Sequence, residues 1–175
     1  MQNRLKDEQY AFIKYLINLT PETDRGALAV LRRGVSGNPA EDLNSYRYVA
    51  RRIPDYDRGT PREAIYYLVA ALYALNPYAI TEGNFGTHMK QAASLRQDSE
   101  AAERRFTVLL TSRLEDLGKP LRQAVMMLKQ LDLPINWFGL FSDLLYWNLP
   151  RKNVQRAWAN NFWAYEPVET EKTQN

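Results

Sequence analysis

The stretch from Leu133 to Trp163 constrains the fold of this chain more than any other part of the sequence. It reads LPINWFGLFSDLLYWNLPRKNVQRAWANNFW and contains all four tryptophans of the 175-residue chain. On both sides of Pro150, apolar residues recur at the i, i+3, i+4, i+7 spacing of an amphipathic helix. A proline disfavours helical geometry in the residue before it and suits the start of the next helix. The stretch therefore predicts two helices whose apolar sides need a core.

Each of these helices has one apolar stripe. The first stripe consists of Trp137, Leu140, Phe141, Leu144 and Leu145. The second consists of Val154, Ala157, Trp158, Asn161 and Phe162. On the opposite side of the second helix, Lys152 and Arg156 stand at i, i+4 with Arg151 beside them and no acid nearby. The pattern predicts that the aromatic side chains are packed in a core and that the basic side chains face outward.

Helical periodicity recurs along the rest of the chain, whereas the alternating runs typical of strands are absent. The sequence therefore predicts an all-α fold, a two-lobed bundle of roughly eight helices. Before the two closing helices, the predicted segments cover roughly residues 6–19, 23–33, 40–52, 60–75, 85–96, 98–110 and 119–131.

Local signals predict how several helices begin and end. Thr23 is expected to cap the second helix, and Gly34 is expected to close it in the left-handed conformation that a missing Cβ permits. The run Thr60-Pro61-Arg62-Glu63 combines a threonine, a proline and a glutamate at the spacing of a capping box. It predicts the start of a central, strongly apolar helix.

The predicted helices divide into two lobes. Residues 1–97 are expected to form an N-terminal helical lobe, and residues 98–165 a C-terminal four-helix bundle, with a boundary near Arg96 to Ser99. No long flexible linker marks that boundary. The polar segment 166–175 is expected to be a disordered tail.

Composition excludes several classes of protein. The chain has no cysteine and one histidine, which rules out disulfides, thiolate metal sites and histidine-rich metal sites. The N-terminus lacks the pattern of a signal peptide, and no apolar run approaches the roughly 20 residues of a membrane span. We therefore expect a cytoplasmic protein that holds no metal and no cofactor.

The charge balance favours a polyanionic partner. The chain carries a formal net charge of +3, and its last ten residues hold three acids and one lysine, so the preceding 165 residues carry 22 basic and 17 acidic side chains. Arginine supplies much of this charge, and its planar guanidinium can donate two parallel hydrogen bonds to a phosphate. A modest excess of this kind is compatible with nucleic acid without requiring it.

Spacing alone leaves the role of the basic clusters open. Lys119, Arg122 and Lys129 stand at i, i+3 and i+10, so they share one helix face and could follow successive phosphates. The alternative is an ordinary solvated surface with local ion pairs, which is strong for Arg104 because Glu100 precedes it by four residues.

Several other residues are of types that can carry chemistry, and each also has a simpler structural explanation. Tyr46, Tyr48 and Tyr56 lie among arginines in SYRYVARRIPDYDR and are candidates for stacking on bases. His88 has no serine, cysteine or acid pair at a recognisable spacing, which favours a satisfied or surface histidine. The pairs Glu115-Asp116 and Asp55-Asp57 look like helix starts and turns, because a metal-dependent nuclease needs several acids converging on one site. Nothing in the sequence supports catalysis, and we expect a protein that is not an enzyme.

Three segments, in order, resemble one known family. They are ALAVLRRG at residues 27–34, AERRFTVLL at 102–110 followed by LRQAVMML at 121–128, and the tryptophan-rich stretch described above. Together they resemble CasB, the small subunit of the type I-E CRISPR surveillance complex called Cascade. The resemblance covers most of the chain up to about Tyr165 and is most specific in the C-terminal half.

The resemblance implies an all-helical, two-lobed, non-enzymatic subunit in antiviral defence. Such a subunit would sit as paired copies along the guide-RNA filament, in contact with the backbone subunits and the large subunit. It would bind CRISPR RNA and target DNA, and it would stabilise the R-loop, including the displaced non-target strand, through basic grooves. Sequence reading belongs to the guide RNA, so the protein would bind backbone and shape.

The family's basic positions correspond to particular residues of this chain. They are Arg32, Arg33, Arg104, Arg105, Arg122, Arg151 and Lys152. With Lys119, Lys129 and Arg156 from the spacing argument, they form the predicted nucleic-acid-binding set. Gln123 stands where relatives often have a second basic residue, and Lys119 is the nearby cation that could compensate.

Two other functions remain as alternatives. A helical protein-interaction adaptor would use the same basic faces to bind acidic partner surfaces and would have no nucleic-acid ligand. A nucleic-acid-processing enzyme would need a cluster of acids in space, which the sequence does not supply.

Overall fold

The structure, a computed structural model, describes residues 5–34, 41–95 and 99–163. Within these ranges the chain forms nine α-helices and no strand longer than a single bridge, which confirms the all-α prediction. The helices are α1 (Asp7–Ile17), α2 (Arg25–Arg33), α3 (Tyr46–Val49), α4 (Glu63–Leu75), α5 (Phe85–Leu95), α6 (Ser99–Thr111), α7 (Gly118–Gln130), α8 (Trp137–Leu145) and α9 (Asn153–Phe162). None of the described helices is long and apolar enough to cross a membrane.

Helix α4 is central because it is apolar on nearly every side. Apart from the half-buried Leu68, all its residues from Ile65 to Leu75 are buried, and it packs against α2, α7 and α8. Helix α5 packs against α6, α7 and α9. A helix that is hydrophobic all round is stable only when neighbours surround it, so α4 organises the first half of the chain and joins it to the second.

The tryptophans behave as their spacing predicts, with one exception. Trp137, Trp147 and Trp158 are at most 2% exposed, whereas Trp163 is 48% exposed. The indole N–H of Trp158 donates to the buried carboxylate of Asp143 at 2.6 Å. The buried aromatic rings of α8 and α9 therefore fill the core, and Trp163, at the end of the second helix, lies at the surface.

The predicted division into two lobes remains a prediction. Residues 96–98, where the boundary was placed, lie outside the described residues, as does the predicted tail. Buried apolar residues from both sides of the boundary belong to one hydrophobic cluster. Helix α5, assigned to the first lobe, packs against α6, α7 and α9 of the second.

Side-chain hydrogen bonds from Asn136 and Trp137 hold the connector between α4 and α5 against the start of α8. The Asn136 side-chain amide donates to the carbonyls of Thr81 and Gly83, both at 2.9 Å. Trp137 donates through its indole N–H to the Tyr78 carbonyl at 3.1 Å. Backbone carbonyls are strong hydrogen-bond acceptors, and these bonds fix the path of a segment that has no helix of its own.

His88 lies in the same junction and is a satisfied core residue, as expected. It is 4% exposed, and its Nε2 accepts the backbone N–H of Asn136 at 3.1 Å. Burial lowers the pKa of His88 to about 4 from an ordinary value of 6.5. A ring nitrogen that accepts a hydrogen bond must be unprotonated, so the contact requires the neutral imidazole.

The third predicted helix, over residues 40–52, is wrong in length. Only Tyr46–Val49 is α-helical, followed by a 3₁₀ turn over Ala50–Arg52. Asp42 explains the late start, because its carboxylate accepts the backbone N–H of Asn44 at 3.1 Å and its carbonyl accepts the Ser45 hydroxyl at 2.7 Å. Such side-chain bonds compete with helix formation.

Two of the predicted helix caps at α2 are also wrong. The residue before α2 is Asp24, and the Thr23 hydroxyl donates to the Asp24 carboxylate at 2.6 Å instead of capping the helix. Gly34 has φ −58° and ψ −21°, which is right-handed. Its N–H bonds to the carbonyl of Leu31, so the last turn tightens and needs no left-handed residue.

The capping box at α4 is present only in a shifted form. The helix begins at Glu63, later than predicted. The Thr60 hydroxyl accepts the N–H of Arg62 at 3.2 Å, and the Glu63 carboxylate accepts the N–H of Gly59 at 2.6 Å. The same two side chains satisfy backbone donors, but each bond is displaced by one residue because a turn over 60–62 precedes the helix.

Helices α5 and α9 approach so closely that only glycine fits at one position. A Cβ added to Gly86 would overlap the carbonyl oxygen of Trp158 and lie 2.7 Å from its carbonyl carbon. Around this point the Phe85 ring lies 5.0 Å from the Trp158 ring, and the Asn84 side-chain amide donates to the Ala157 carbonyl at 3.2 Å. This backbone contact attaches α9 to the rest of the fold.

Candidate nucleic-acid interface

The basic stripe of α7 lies at the surface on one side of a well-anchored helix. Leu121, Val125 and Leu128 are fully buried, and this fixes the rotation of α7. Lys119 and Lys129 are exposed and Arg122 is half-buried. At a rise of about 1.5 Å per residue, the stripe extends over about 15 Å.

Helix α6 packs against α7 and carries two arginines, of which one has an ion-pair partner and the other has none among the described residues. Arg104 bonds to Glu100 at 3.4 Å, with both side chains mostly exposed, as the spacing predicted. An exposed pair of this kind contributes roughly 0–1 kcal/mol. Arg105 is exposed and has no ion-pair partner among the described residues. It is therefore the more available cation of the two.

The basic residues before α9 have an unusual backbone. Arg151 has φ 69° and Lys152 has φ 50°, both in the left-handed region that disfavours residues with a Cβ. They belong to a 3₁₀ turn, Pro150–Lys152, and precede α9, so the prediction that Lys152 and Arg156 share one helix is corrected. Lys152 occupies the N-cap position of α9, whereas Arg156 lies within the helix. The side chains of Arg151, Lys152 and Arg156 are all exposed.

Arg32 has a structural partner that spacing could not reveal. Its Nε donates to the carbonyl of Ala74 at 2.9 Å, in the last turn of α4. A cation is favoured at the C-terminal end of a helix because the last carbonyls lack helical partners. Arg33 is exposed and has no such bond in the described part of the chain. In the LRRG segment, therefore, Arg32 is bonded within the chain, whereas Arg33 is exposed and can bind a partner.

Sequence reasoning missed one exposed cation in this region. Arg113 lies between α6 and α7, before the 3₁₀ turn Leu114–Asp116, and it is exposed. It belongs to neither helical stripe, so periodicity gave no signal for it. Only its position between two helices that carry basic residues could have indicated it.

The tyrosines proposed for base stacking already have partners within the chain. The Tyr46 ring lies 5.2 Å from that of Tyr67, and the Arg47 guanidinium lies 4.7 Å from the Tyr48 ring centre. Lys6 lies 3.9 Å from the Tyr56 ring centre.

The acids near these tyrosines do not form a metal site. Asp57 is 1% exposed, and one carboxylate oxygen accepts from the Gln9 amide at 2.9 Å and the Tyr66 hydroxyl at 2.7 Å. Burial and the bond to Asp57 raise the pKa of Tyr66. Among the described residues, no group of three or more potential metal ligands of the His, Cys, Asp or Glu types occurs. Asp57 is thus a structural link between α1 and α4.

The packing of the helices and the charge of the surface together define the class of protein. It is a small all-α protein with exposed cations on helices α6, α7 and α9. Residues 27–163 match the family described as CRISPR-associated protein Cse2. A protein of that description from Thermus thermophilus is 33% identical over 150 residues, covering 83% of each chain. The chain therefore belongs to the Cse2 family, and the resemblance to the CasB family of type I-E Cascade is confirmed.

Solved structures agree with this assignment. CasB from M. ruber superposes with a TM-score of 0.72 at 29% identity, covering 90% of this chain and 93% of that one. A chain of a CRISPR RNA-guided surveillance complex superposes with a TM-score of 0.74 at 27% identity, covering 89% of this chain and 91% of that one. The helical fold is thus shared along nearly the whole length of these proteins.

Proposed function

We propose that this chain is a non-catalytic small subunit of a type I-E CRISPR RNA-guided surveillance complex. In that role it binds nucleic-acid backbone and stabilises the R-loop, including the target strand and the displaced non-target strand. The observation that supports this most is a group of predicted binding residues that have no acidic partner among the described residues. Arg122 is half-buried, and the others are exposed: Arg33, Arg105, Lys119, Lys129, Arg151, Lys152 and Arg156.

This surface suits a phosphate backbone better than it suits bases. Arginine and lysine side chains donate hydrogen bonds and accept none, and the guanidinium matches two phosphate oxygens. The tyrosines considered for base stacking contact Tyr67, Arg47 and Lys6 within the chain. A protein that binds backbone without reading bases leaves sequence recognition to the guide RNA.

The proposal includes partners. In the complex the chain contacts the backbone subunits, the large subunit and a second copy of itself, together with CRISPR RNA and the single-stranded parts of the target DNA. Arg32 and Arg104 have smaller roles in this proposal, because Arg32 bonds to Ala74 and Arg104 to Glu100. The complex is expected to act in the cytoplasm.

Salt dependence of binding tests the proposal. We expect fluorescence anisotropy with mixed-sequence single-stranded DNA to show binding that weakens steeply as salt rises. Each phosphate contact contributes about 0.7 to the slope of log K against log salt on a single strand. Arg122→Ala and Arg105→Ala should each lower that slope by about 0.7 and should shorten R-loop lifetime in a reconstituted complex. Arg25→Ala, which removes an exposed arginine at the start of α2, is the matched control and should change neither.

The same assays separate the alternatives. Salt-insensitive or undetectable DNA binding, with R-loops as long-lived in the two variants as in wild type, would favour the protein-interaction adaptor. Cleavage of the DNA in the presence of a divalent metal would favour the processing enzyme. Equal slopes for Arg122→Ala and Arg25→Ala would mean that the α7 stripe is not the contact surface.

A further inference from the structure

A second group of exposed arginines, outside the predicted binding set, lies where α3 meets the 3₁₀ turn that follows it. Val49 and Ile53 are buried and stand four residues apart, so they fix the side of this segment that faces the core. Arg47, Arg51 and Arg52 are exposed. Arg47 and Arg51 are also four residues apart and therefore project from one side, roughly opposite to Val49.

Two tyrosine rings support two of these guanidinium groups. The guanidinium carbon of Arg52 lies 3.3 Å from the ring centre of Tyr15 on α1, and that of Arg47 lies 4.7 Å from the ring centre of Tyr48. Both rings are half-buried and pack against the hydrophobic core. Because the face of an aromatic ring attracts a cation, both arginines are held on supports that are anchored in the core.

The contact between Arg52 and Tyr15 leaves the donors of the guanidinium available. At 3.3 Å the group must lie flat on the ring, because an edge-on approach would bring a nitrogen to about 2 Å, well inside the contact distance. A flat guanidinium turns its face to the ring and keeps its N–H groups directed outward in its own plane. Arg47, Arg51 and Arg52 donate no hydrogen bond to, and form no ion pair with, any described residue.

The positive charge of this surface is not neutralised by its own segments. Residues 9–18 and 44–54, which contain these arginines and tyrosines, include no acid. The acids on either side are engaged in their own turns. The Asp42 carboxylate accepts the backbone N–H of the residue two positions later at 3.1 Å, and Asp55 pairs with Arg58 at 3.1 Å. The three arginines therefore repel one another, and a bound polyanion would remove that repulsion.

We propose that Arg47, Arg51 and Arg52 form a second contact surface for single-stranded nucleic acid, in addition to the cations of α6, α7 and α9. The guanidinium edges donate to phosphate oxygens, and the rings of Tyr15 and Tyr48 support the arginines instead of stacking on bases. A protein partner would need an apolar centre, but these two rings lie beneath arginines. The inference rests on the proposed function in one respect, namely that single-stranded nucleic acid is a ligand.

The salt dependence of binding by the full chain tests the surface. In fluorescence anisotropy with mixed-sequence single-stranded DNA, R47A/R52A should lower the slope of log K against log salt by about 1.4, because each lost phosphate contact removes about 0.7. The control R25A/R58A removes the same charge at exposed residues, and the Nε of Arg58 already donates to the Ile53 carbonyl at 3.0 Å. The control should lower the slope by less than about 0.5. Equal slopes in the two variants would overturn the proposal.

Substitution of Tyr15 tests the supporting role of the ring. Tyr15→Phe keeps the ring and should bind single-stranded DNA as wild type does. Tyr15→Leu removes the ring and should bind about 2- to 5-fold more weakly at low salt, as expected for the loss of one cation–π contact. Thermal melts show whether each variant is folded at the temperature of the binding assay. Equal affinities of the folded Phe and Leu variants would refute the supporting role.

The outcomes separate this inference from the proposed function. If wild type does not bind single-stranded DNA, both fail. If Arg122→Ala lowers the slope and R47A/R52A does not, only the second surface fails. A lower melting temperature for R47A/R52A with an unchanged slope would make these arginines structural. Loss of R47A/R52A from a reconstituted complex, again with an unchanged slope, would identify an acidic protein as the partner of this surface and would overturn the proposal.

Discussion

The contact between Gly86 and the backbone of Trp158 gives the most demanding test of the fold. In Gly86→Ala the new Cβ would lie 2.7 Å from the Trp158 carbonyl carbon and 2.8 Å from its Cα. Carbon atoms in contact prefer about 3.5–4.0 Å, so α5 and α9 would have to separate by about 1 Å. Neither obstacle is a flexible side chain, and the strain cannot be relieved by a rotamer change.

The cost can be worked out from the surrounding contacts. Overpacking against rigid atoms costs about 3 kcal/mol at the upper end of the usual range. Separation of the helices also stretches the hydrogen bond from Asn84 to Ala157, now 3.2 Å, which contributes about 1 kcal/mol. Replacing a helical glycine by alanine stabilises the helix by about 1 kcal/mol, which offsets part of this cost. We expect a net loss of about 3 kcal/mol, or about 6–12 °C in Tm for a chain of this size.

A second helical glycine provides the control. A Cβ on Gly26, in α2, would meet nothing within 4 Å, so Gly26→Ala should raise stability by up to about 1 kcal/mol. Urea unfolding followed by circular dichroism would measure both free energies of unfolding. If the G86A variant is as stable as wild type, the close approach of α5 and α9 is wrong.

Two further predictions concern pH and backbone strain. Because the folded pKa of His88 is about 4 and its ordinary value is 6.5, the unfolded chain takes up a proton first as the pH falls, and stability should drop by about 3 kcal/mol between about pH 6.5 and pH 4. The H88Q variant keeps a hydrogen-bond acceptor but has no imidazole to protonate, so its free energy of unfolding, measured in urea across this range, should lack the drop due to His88. If H88Q shows the same pH dependence as wild type, the low pKa of His88 is not the cause of the drop. Arg151→Gly should relieve the positive φ of 69° and raise the free energy of unfolding by about 0.5–1 kcal/mol, yet weaken single-stranded DNA binding. Thermal melts and anisotropy would check this, and a destabilised variant would show that the strain is absent.

Prediction from sequence succeeded where local periodicity decides the outcome. The apolar stripe of α8 lies in the core, and so do Val154, Trp158 and Phe162 of α9, as their spacing indicated. Asn161, which was assigned to the stripe of α9, is exposed, so that part of the prediction is wrong. The pair Arg104–Glu100 forms at i, i+4. Each of these features follows from residues within a few turns of one helix, where side-chain direction is set by the helix itself.

Prediction failed where side chains near a helix end had several competing partners. At Thr23 and Thr60 the sequence contains the right residue types, but the hydroxyls bond to Asp24 and to the N–H of Arg62. Asp42 likewise delays the start of α3. Alternative local hydrogen bonds of similar energy exist at such positions, and the packing of the adjoining segments decides among them.

The sequence by itself determined the helical class, the faces of the long helices and the family to which the chain belongs, because periodicity and motif are local. Only the tertiary structure decided that Arg32 is bonded to Ala74, that His88 accepts from Asn136 and that Gly86 must be glycine. In each case the partner lies more than 40 residues away along the chain. Such pairs come together through the docking of whole helices, so no local pattern in the sequence records them.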